Sequence, residues 1–406
     1  MINQFNKILK KEKKRQIETI NLIASENYPS EAVLNVIGSV LTSKYSEGYP
    51  GRRYYPGNEI YDKIELLAQQ RAKEIFRTGN NYYVNVQPYS GSPANMAIYL
   101  GLLNWGDTIM GMNLSHGGHL SHGHKVNFSG RAYKVVQYGV DSKSERIDYE
   151  EVRKLAKKHR PKIIISGATA YPRKIDFRKF YQITKEIGAV SMADISHVAG
   201  LIVAGLHLSP FPFTDIVMTT THKTLRGPRG AIIICKRKFA SAIDKAVFPG
   251  IQGGPHNNII AGKLVCFEEA KKIAFKKYQR QIITNAKVLA KELKKYGFNL
   301  VSGGTDNHLI LIDLQNKKIT GKEAEIKLER AGILANRNTI PNDLRNPLNP
   351  SGIRLGVPAV TTRGMKEKEM KKIAQLIDEI INNKRKIEII RSEIKKTAKK
   401  FPIPGI

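Results

Sequence analysis

The sequence has few cysteines, few acidic residues and no long apolar run. Its two cysteines, Cys235 and Cys266, each lie in an apolar stretch, without the spacing of a metal site or a disulfide framework. No stretch reaches the roughly 18 consecutive apolar residues of a membrane span, and residues 1–16 lack the apolar centre of a secretory signal. We therefore expect reduced, buried cysteines in a cytoplasmic protein. The apolar residues among the lysines of 5–9 leave import into an organelle as an alternative.

Acidic residues are scarce relative to basic ones. The chain has 35 Asp and Glu against 67 Lys and Arg, a formal net charge of +32. Such a charge by itself indicates nucleic acid or an anionic membrane as a partner. The lysines, however, are scattered through helical segments such as 151–158, 270–277 and 366–372. Because scattered charge is typical of solvated helix faces, we expect no membrane partner, and nucleic-acid binding is an alternative that rests on charge alone.

Apolar residues make up 41% of the chain and are spread along its length, which predicts a globular protein. In the first two thirds, strand-like runs alternate with helical spacing. The predicted strands are 162–166, 189–193, 214–219 and 230–235, and the predicted helices are 148–158 and 177–187. This alternation predicts an α/β fold with a mainly parallel central sheet. Ligands of such sheets bind beyond the carboxyl ends of the strands.

A chain of 406 residues exceeds what one core usually supports, so we expect two domains. From about residue 276 the sequence changes to lysine-rich helical spacing, which favours a second, smaller domain. This second part includes a strand-like run, His308–Leu314, a loop rich in Asn and Pro, 336–351, and a helical stretch, 366–399. The predicted division is an N-terminal arm, a large domain and a small C-terminal domain: 1–30, 31–275 and 276–406.

A lysine lies just after the predicted strand 214–219, in the segment TTTHKTLRGPRG of residues 219–230. Lys223 is suited to form an imine with an aldehyde cofactor, provided that burial beside cationic groups lowers its pKa from about 10.4. A surface lysine in a loop is the alternative. Asp194 favours the first interpretation, because it ends the preceding strand and could keep a pyridine nitrogen protonated, as pyridoxal phosphate (PLP) chemistry requires.

A candidate phosphate site precedes the helical run that extends to Leu103. We expect Ser92 to cap this helix, and the amides of Gly91 and Ser92 together with the serine hydroxyls to bind an anion at the positive end of the helix dipole. An ordinary helix cap is the alternative. In combination, Lys223, Asp194 and this segment predict a PLP site.

Four histidines within nine positions raise the alternative of a metal site: His116, His119, His122 and His124. Residues 108–140 contain no Asp or Glu, and there is no HExxH motif. The glycines of this stretch predict a loop. We therefore expect no metal site.

Five ordered segments resemble motifs of the serine hydroxymethyltransferase family. They are LIASENY at 22–28, KYSEGYPGRRYY at 44–55, HGGHL at 116–120, SGGTDNH at 302–308 and SGIR at 351–354. The resemblance runs from about residue 17 to the end. It implies the aspartate-aminotransferase-like PLP fold, with a mainly parallel central sheet and a smaller C-terminal α+β domain.

The same resemblance implies the activity: reversible transfer of the serine hydroxymethyl carbon to tetrahydrofolate, giving glycine and 5,10-methylenetetrahydrofolate. PLP would be the cofactor and tetrahydrofolate the co-substrate. A homodimer with shared active sites is also implied. A threonine-aldolase-like or other PLP enzyme of the same fold remains an alternative, against which Glu47 argues because folate-dependent transfer needs an acid–base group.

The resemblance also implies roles for individual residues. Lys223 would be the Schiff-base lysine, Asp194 the partner of the ring nitrogen, and His119 the residue stacked on the ring. The other cofactor or catalytic positions would be Ser90, Gly91, Ser92 and His222 at the phosphate, Thr169 and His197 near the ring, Thr220 among the catalytic residues, and Tyr45 and Gly254 from the opposite subunit. The substrate positions would be Arg354 and Ser25 at the serine carboxylate, Glu47 and Tyr55 at the transferred group, and Leu114, Gly117, Gly118, Leu120 and Asn338 at the folate.

Three positions depart from the family pattern, which usually has Gln at Pro93, commonly His at Tyr89 and often Ala at Ser196. Pro93 removes one backbone donor beside the phosphate segment. Because proline is tolerated at the first helical position, we expect a local adjustment and retained cofactor binding.

Overall fold

The computed structural model describes residues 2–406. The helices are α1 (Ile2–Glu18), α2 (Glu31–Ile37), α3 (Glu59–Phe76), α4 (Gly91–Leu102), α5 (Phe128–Ala132), α6 (Tyr149–His159), α7 (Phe177–Ile187), α8 (Ala199–Val203), α9 (Ala240–Lys245), α10 (Asn257–Ala270), α11 (Ile273–Lys295), α12 (Gly321–Ala331), α13 (Pro358–Thr362), α14 (Glu367–Ile381) and α15 (Ile387–Ala398). The strands are β1 (Ile20–Asn21), β2 (Gly48–Tyr49), β3 (Arg52–Arg53), β4 (Tyr82–Asn85), β5 (Thr108–Met112), β6 (Lys134–Tyr138), β7 (Ile163–Gly167), β8 (Val190–Asp194), β9 (Ile216–Thr220), β10 (Ala231–Lys236), β11 (Asn299–Leu300), β12 (Leu309–Asp313), β13 (Ile333–Leu334), β14 (Asn336–Asn338) and β15 (Gly352–Gly356).

The chain divides into two compact units. The large unit comprises Pro29–Thr169 and Lys174–Gln279. The small unit comprises the described residues up to Tyr28 together with Ala170–Arg173 and Arg280–Ile406.

The large unit contains a seven-stranded sheet with the strand order β4-β10-β9-β8-β7-β5-β6. Only β10 pairs antiparallel with its neighbours, and the other pairs in this sheet are parallel. The predicted mainly parallel α/β fold is thereby confirmed. The four predicted strands are β7, β8, β9 and β10, each displaced by one or two residues.

Two predicted helices of the large unit, α6 and α7, begin where an aspartate side chain accepts hydrogen bonds from the first turn. Asp148 Oδ1 accepts from the amides of Glu150 and Glu151, and Asp176 caps α7 in the same way. Helix α7 ends at Gly188, which has the left-handed φ of 73° that glycine adopts without a steric penalty. These caps place the ends of both helices within one residue of their predicted positions.

The small unit contains a four-stranded antiparallel sheet with the order β11-β12-β15-β14. The predicted strand His308–Leu314 is confirmed as β12. The prediction of one helix over 366–399 is wrong, because the chain forms α14 and α15 with a break after Ile381. Asn383 in this break has a left-handed φ of 53°, which a continuing α-helix cannot contain.

Within the small unit, the buried Arg363 side chain joins the ends of the first and last helices. Its guanidinium donates hydrogen bonds to five main-chain carbonyls: Gln16, Ile17, Thr19, Ala398 and Phe401. Carbonyls in the last turn of a helix have no partner within the helix. Arg363 therefore provides the C-terminal capping interactions of α1 and α15 together.

Cys235 and Cys266 are both buried, free thiols, as their apolar surroundings predict. Among residues 2–406, the structure has no helix that combines the length and the apolar character needed to cross a bilayer.

Candidate active site

The candidate site of the large unit lies at the carboxyl ends of neighbouring strands. Asp194 is the last residue of β8 and Thr220 is the last residue of β9, and these two strands pair in parallel. Lys223 follows three residues later and is 9% exposed. The structure therefore brings the predicted lysine and carboxylate to the same edge of the sheet, where ligands of such folds bind.

Two threonines hold the loop that carries Lys223. Thr221 Oγ1 donates a hydrogen bond of 2.6 Å to the carbonyl of Pro228, which closes the turn. Thr224 Oγ1 donates to the carbonyl of His197 at 2.9 Å and so ties the loop to the segment after β8. Both threonines and both residues that supply the accepting carbonyls are buried, so water cannot replace these bonds. The position of the Lys223 main chain is consequently fixed on both sides.

Asp194 is buried and accepts hydrogen bonds on both carboxylate oxygens. His122 Nε2 lies 3.0 Å from Oδ2, Asn95 Nδ2 donates to Oδ2 at 3.2 Å, and the Ser196 amide donates to Oδ1 at 3.1 Å. The predictions did not include His122 as a partner of Asp194. Its only sequence signal is membership of the histidine cluster, since the two residues are 72 positions apart.

The charge state of Asp194 follows from these contacts. Burial alone raises the pKa of a carboxyl group, but the hydrogen bond from His122 and the nearby His119 and Lys223 outweigh it. The pKa of Asp194 therefore lies below its usual range. The carboxylate is ionised at neutral pH, as a partner of a protonated pyridine nitrogen must be.

The orientation of the His119 ring is set by its neighbour Ser121. The Ser121 amide donates to His119 Nδ1 at 3.2 Å, and Ser121 Oγ lies 2.7 Å from the same nitrogen. Asn95 in turn donates to Ser121 Oγ at 2.8 Å. Because Asn95 also contacts Asp194, one amide side chain links the predicted stacking residue to the predicted ring-nitrogen partner.

The predicted phosphate segment begins α4, but the cap differs from the prediction. The expectation that Ser92 caps this helix is wrong: Ser90 occupies the N-cap position with extended backbone, and Gly91 is the first helical residue. Ser92 is second and Pro93 is third, so Pro93 is not at the first helical position either. The first amides of a helix have no acceptor within it, so the missing N–H of Pro93 breaks no helical hydrogen bond.

The donors around this helix end fit a phosphate group. Among residues 2–406, Thr220 Oγ1 and His222 Nδ1 are buried side-chain atoms without a hydrogen-bond partner. Gly91 leaves room beside them, because a Cβ there would lie 2.9 Å from Thr220 Cγ2. Burial, and then the charges of Lys223 and Arg229, lower the pKa of His222 to about 3. A neutral imidazole, two serine hydroxyls and free helix amides match a phosphorylated cofactor.

The predicted positions around residues 114–120 form a tight loop of the large unit. Thr169 donates its amide to the carbonyl of Gly117 at 2.7 Å. A Cβ at Gly118 would lie 2.0 Å from the carbonyl oxygen of Met112, so the loop requires glycine at this position. Leu114 is half-buried and Leu120 is exposed, which leaves apolar surface available to a ligand.

A second cluster of predicted residues lies around the Gly253-Gly254 turn. A Cβ at Gly253 would lie 3.4 Å from Glu47 Oε1, and a Cβ at Gly254 would lie 3.2 Å from Tyr45 Cδ1. The Tyr45 and Tyr55 rings pack edge to face with centroids 5.5 Å apart. The structure therefore groups Tyr45, Glu47, Tyr55 and this turn within one chain.

Buried Arg53 holds the main chain on both sides of Glu47. Its Nη1 donates to the carbonyls of Ser46 and Gly48 at 2.8 and 2.9 Å, while Nη2 donates to buried Glu65 at 2.6 Å. Because the guanidinium is planar and rigid, this geometry fixes the direction of the segment that carries Glu47.

Two departures from the family pattern have structural partners here. Tyr89 donates its hydroxyl to the Gly254 carbonyl at 2.6 Å, and its ring stacks on His256 with centroids 4.1 Å apart. Ser196 Oγ accepts a hydrogen bond of 3.1 Å from the Thr220 amide. Tyr89 thus supports the turn described above, and Ser196 joins the ends of β8 and β9.

The small unit holds three predicted substrate residues. Arg354 lies on β15 and is 6% exposed, and burial lowers its pKa to about 10, so it remains positively charged at neutral pH. Its Nε donates to Asn336 Oδ1 at 3.1 Å, which orients the guanidinium. Ser25 follows Ala24, which packs against Gly356 at the end of the same strand. Asn338 lies on β14, with its amide nitrogen donating to the Thr339 carbonyl.

The histidine cluster does not form a metal site in the part of the chain that the structure describes, where no group of three or more His, Cys, Asp or Glu could hold a metal ion. His116 Nδ1 accepts from the Val140 amide at 3.0 Å, and His122 contacts Asp194. The rings of His116 and His122 therefore make contacts with different partners, the Val140 amide and the Asp194 carboxylate.

A comparison with known protein families identifies a family for this chain. A family model described as serine hydroxymethyltransferase matches residues 2–377, which is nearly the whole chain. The match begins before residue 17, where the resemblance in the sequence motifs starts, and it includes residues of both units described above.

Proposed function

The chain belongs to the serine hydroxymethyltransferase family, and from that premise we propose which of its residues perform the reaction. Enzymes of this family use PLP and transfer the hydroxymethyl carbon of serine to tetrahydrofolate, so the chain is a PLP-dependent transferase of one-carbon metabolism that interconverts serine and glycine. The match supports neither the aldolase-like alternative nor nucleic-acid binding. The observation that supports the residue assignments best is that Asp194 ends β8 and Lys223 follows the end of the adjacent strand β9, which places both at the same edge of the sheet.

The proposed cofactor residues come from the large unit. When bound, PLP supplies the electron sink that stabilises negative charge at the substrate α-carbon. Lys223 would hold the cofactor covalently, ionised Asp194 would keep a proton on the ring nitrogen, and His119 would pack on the ring face. Ser90, Gly91, Ser92 and His222 would bind the phosphate, with the hydroxyl of Thr220 beside them, and Thr169 and His197 would lie near the ring.

The proposed substrate residues orient serine and move its proton. Arg354 binds the serine carboxylate through two parallel hydrogen bonds, a geometry suited to guanidinium, and Ser25 assists it. Glu47 accepts and returns the proton of the serine hydroxyl, and Tyr55 lies beside it. The folate is contacted at Leu114, Gly117, Gly118, Leu120 and Asn338.

We further propose a homodimer in which Tyr45, Glu47, Tyr55 and Gly254 complete the active site of the opposite subunit. The support is an exposed aromatic surface in one chain: Tyr45 and Tyr54 are 62% and 80% exposed, and both contact Tyr55 edge to face. Aromatic surface of this kind is unusual in water and is typical of an interface. A symmetric dimer would bury it twice.

The cellular compartment and the domain limits are also proposals. We propose a cytoplasmic enzyme, which agrees with two buried cysteines that form no disulfide with each other. We also retain the functional division into an arm, a PLP-binding domain and a small domain at 1–30, 31–275 and 276–406.

The assignment of Lys223 is tested by reducing the PLP-loaded enzyme with borohydride and mapping the labelled peptide. We expect the label on Lys223 alone, with none in the Lys223→Ala variant. A label on another lysine would show that the covalent attachment is elsewhere.

The role of Glu47 is tested with Glu47→Gln, which keeps the size of the side chain. We expect normal PLP absorption and loss of most serine-to-glycine turnover. Serine cleavage is measured with and without tetrahydrofolate. Turnover near that of the unmodified enzyme would mean that another residue transfers the proton. A fall in PLP content would mean that Glu47 has a structural role instead.

The shared site is tested by mixing two inactive variants, Lys223→Ala and Glu47→Ala, after refolding. Random pairing makes about half of the dimers mixed and repairs one of their two sites, so activity should approach roughly a quarter of the wild-type value. Differently tagged chains confirm that subunits exchange. Exchange without any recovery of activity would place both residues in the site of one chain.

A further inference from the structure

Lys263 is a fully buried lysine that has no part in the chemistry described above. It lies on α10 and is 1% exposed. Its Nζ donates to three main-chain carbonyls: Val86 at 2.6 Å, Ala231 at 2.9 Å and Pro88 at 3.1 Å. An ammonium group has three N–H donors, so each of them has one buried acceptor.

The three carbonyls belong to the two segments that form the cofactor site. Val86 and Pro88 lie between the end of β4 and Ser90, where the phosphate segment begins. Ala231 starts β10 directly after Gly230, whose carbonyl accepts from the Thr221 amide at 3.0 Å and so closes the Lys223 loop. One ammonium group therefore joins the entrance of the phosphate segment to the exit of the Lys223 loop.

The Lys263 side chain passes close to the main chain at Gly230, where no side chain is in the way. A Cβ at Gly230 would lie 2.5 Å from Lys263 Cε, so glycine at this position allows the lysine to reach the carbonyls. Burial lowers the pKa of Lys263 to about 7, and the negative charge of buried Glu65 opposes this shift. The three carbonyl oxygens around Nζ favour the ammonium form, because a neutral amine has only two N–H donors. Gln87, between the two bonded carbonyls, donates to Glu65 at 2.9 Å and to the Gly48 carbonyl at 2.9 Å.

We propose that Lys263 is a positioning residue for PLP, because its three hydrogen bonds set the phosphate segment relative to the Lys223 loop. This inference rests on the proposed phosphate role of Ser90 and Ser92. Without the ammonium, the buried Val86 and Ala231 carbonyls lose the hydrogen bond that Lys263 donates, while the Pro88 carbonyl keeps the 3.2 Å bond from the Ala231 amide. The phosphate segment then moves toward other donors. The affinity for the phosphate group of the cofactor then falls, even though Lys263 does not touch it.

The test uses Lys263→Met, which keeps the length of the side chain and removes the donors. The matched control is Lys236→Met, since Lys236 lies at the opposite end of β10 and donates to Asp215 and the Phe213 carbonyl. PLP is removed from the purified enzyme, and the dissociation constants of PLP and of pyridoxal, which lacks the phosphate, are measured. We expect Lys263→Met to weaken PLP binding about tenfold or more, or about 1.4 kcal/mol. Pyridoxal binding should change less than about twofold, within the usual scatter of surface effects.

The control should lower stability and leave the ratio of the two dissociation constants unchanged. Equal loss of PLP and pyridoxal affinity in Lys263→Met, or no loss of either, would overturn the proposal. If this variant does not fold, Lys263→Gln keeps two N–H donors and should lose less of the preference for PLP. Failure of both variants to fold would assign Lys263 to stability and also overturn it.

A double variant, Ser90→Ala with Ser92→Ala, separates this inference from the assignment on which it rests. If the double variant retains the preference for PLP over pyridoxal, the proposed phosphate site itself is wrong. If the double variant loses that preference and Lys263→Met retains it, the phosphate site stands and only the role of Lys263 fails.

Discussion

Replacement of His122 by Phe tests how the protein keeps the buried Asp194 ionised. The variant retains a buried ring and removes the 3.0 Å contact between Nε2 and Asp194 Oδ2. The bonds from Asn95 and Ser196 remain. A hydrogen bond to a charged buried group contributes roughly 1.5 to 3 kcal/mol. We therefore expect the free energy of unfolding at neutral pH to fall by about this amount.

The pH dependence of this loss follows from the direction of the Asp194 pKa shift. Its pKa in the folded protein lies below the unfolded value of about 3.9. The stabilising contribution is then fully present above the unfolded value and is lost as the pH falls through the folded value. In His122→Phe, burial is no longer offset by His122, so the Asp194 pKa rises. The stability difference between the two proteins should be largest at neutral pH and should decrease below about pH 4.

The assay is urea unfolding of the PLP-free protein between pH 7 and the acid limit of folding, together with the visible absorption of the PLP-loaded enzyme. His122→Gln, whose amide can still donate, should recover part of the lost stability. His124→Phe serves as the control. The hydrogen bond seen for the His124 ring is a long one, 3.4 Å, from the Val126 amide to Nδ1, and it does not involve Asp194. If His122→Phe matched the wild type in stability and in PLP absorption, the argument that His122 maintains the Asp194 carboxylate would be refuted.

Three further predictions concern the substrate, the small unit and the net charge. Arg354→Lys should raise the KM for serine roughly tenfold or more with a smaller change in kcat, because an ammonium cannot make two parallel bonds to the carboxylate. Arg363→Met should lower the free energy of unfolding by at least about 3 kcal/mol, since five carbonyls lose the hydrogen bond from the guanidinium and, within residues 2–406, only Ala398 among them keeps a bond from another amide, that of Phe401. Exposed Arg391→Met should change it little, and denaturant unfolding measures both. If the charge of +32 attracts the acidic tail of folate polyglutamates, added salt should weaken folate binding more steeply than serine binding, and equal slopes would contradict this role.

The features that could be predicted from the sequence are those with a local signal. Four strands of the large sheet, β7 to β10, are apolar runs, and the helices α6 and α7 start at aspartate caps, so the limits of these elements could be predicted within one or two residues. The strands β4, β5 and β6 were not among the predicted strands. The positions of Lys223 and Asp194 follow from the same signal, because each stands at or just after the end of a run. Parallel pairing then brings strand ends to one edge without any further information.

The limits of helices were harder to predict where the sequence pattern fits more than one position for a helix end. Ser90 and Ser92 are both good capping residues, and the sequence does not distinguish them. The extended backbone at Ser90 determines where α4 begins. In 366–399 the apolar spacing is helical on both sides of the break, and the left-handed conformation of Asn383 interrupts it. A single residue changes the structure there without changing the periodicity.

Contacts between buried polar groups could not be predicted, because their partners are distant in sequence. Asp194 and His122 are 72 residues apart, and Lys263 is 177 residues from Val86. A buried charge without a partner is strongly unfavourable, so each of these groups must have one, but the sequence does not say which. In the proposed mechanism Asp194 stays ionised away from water, and burial of that charge requires a donor that is distant in sequence, which the structure identifies as His122. We infer the same kind of indirect role for Lys263, whose three buried acceptors only the structure reveals.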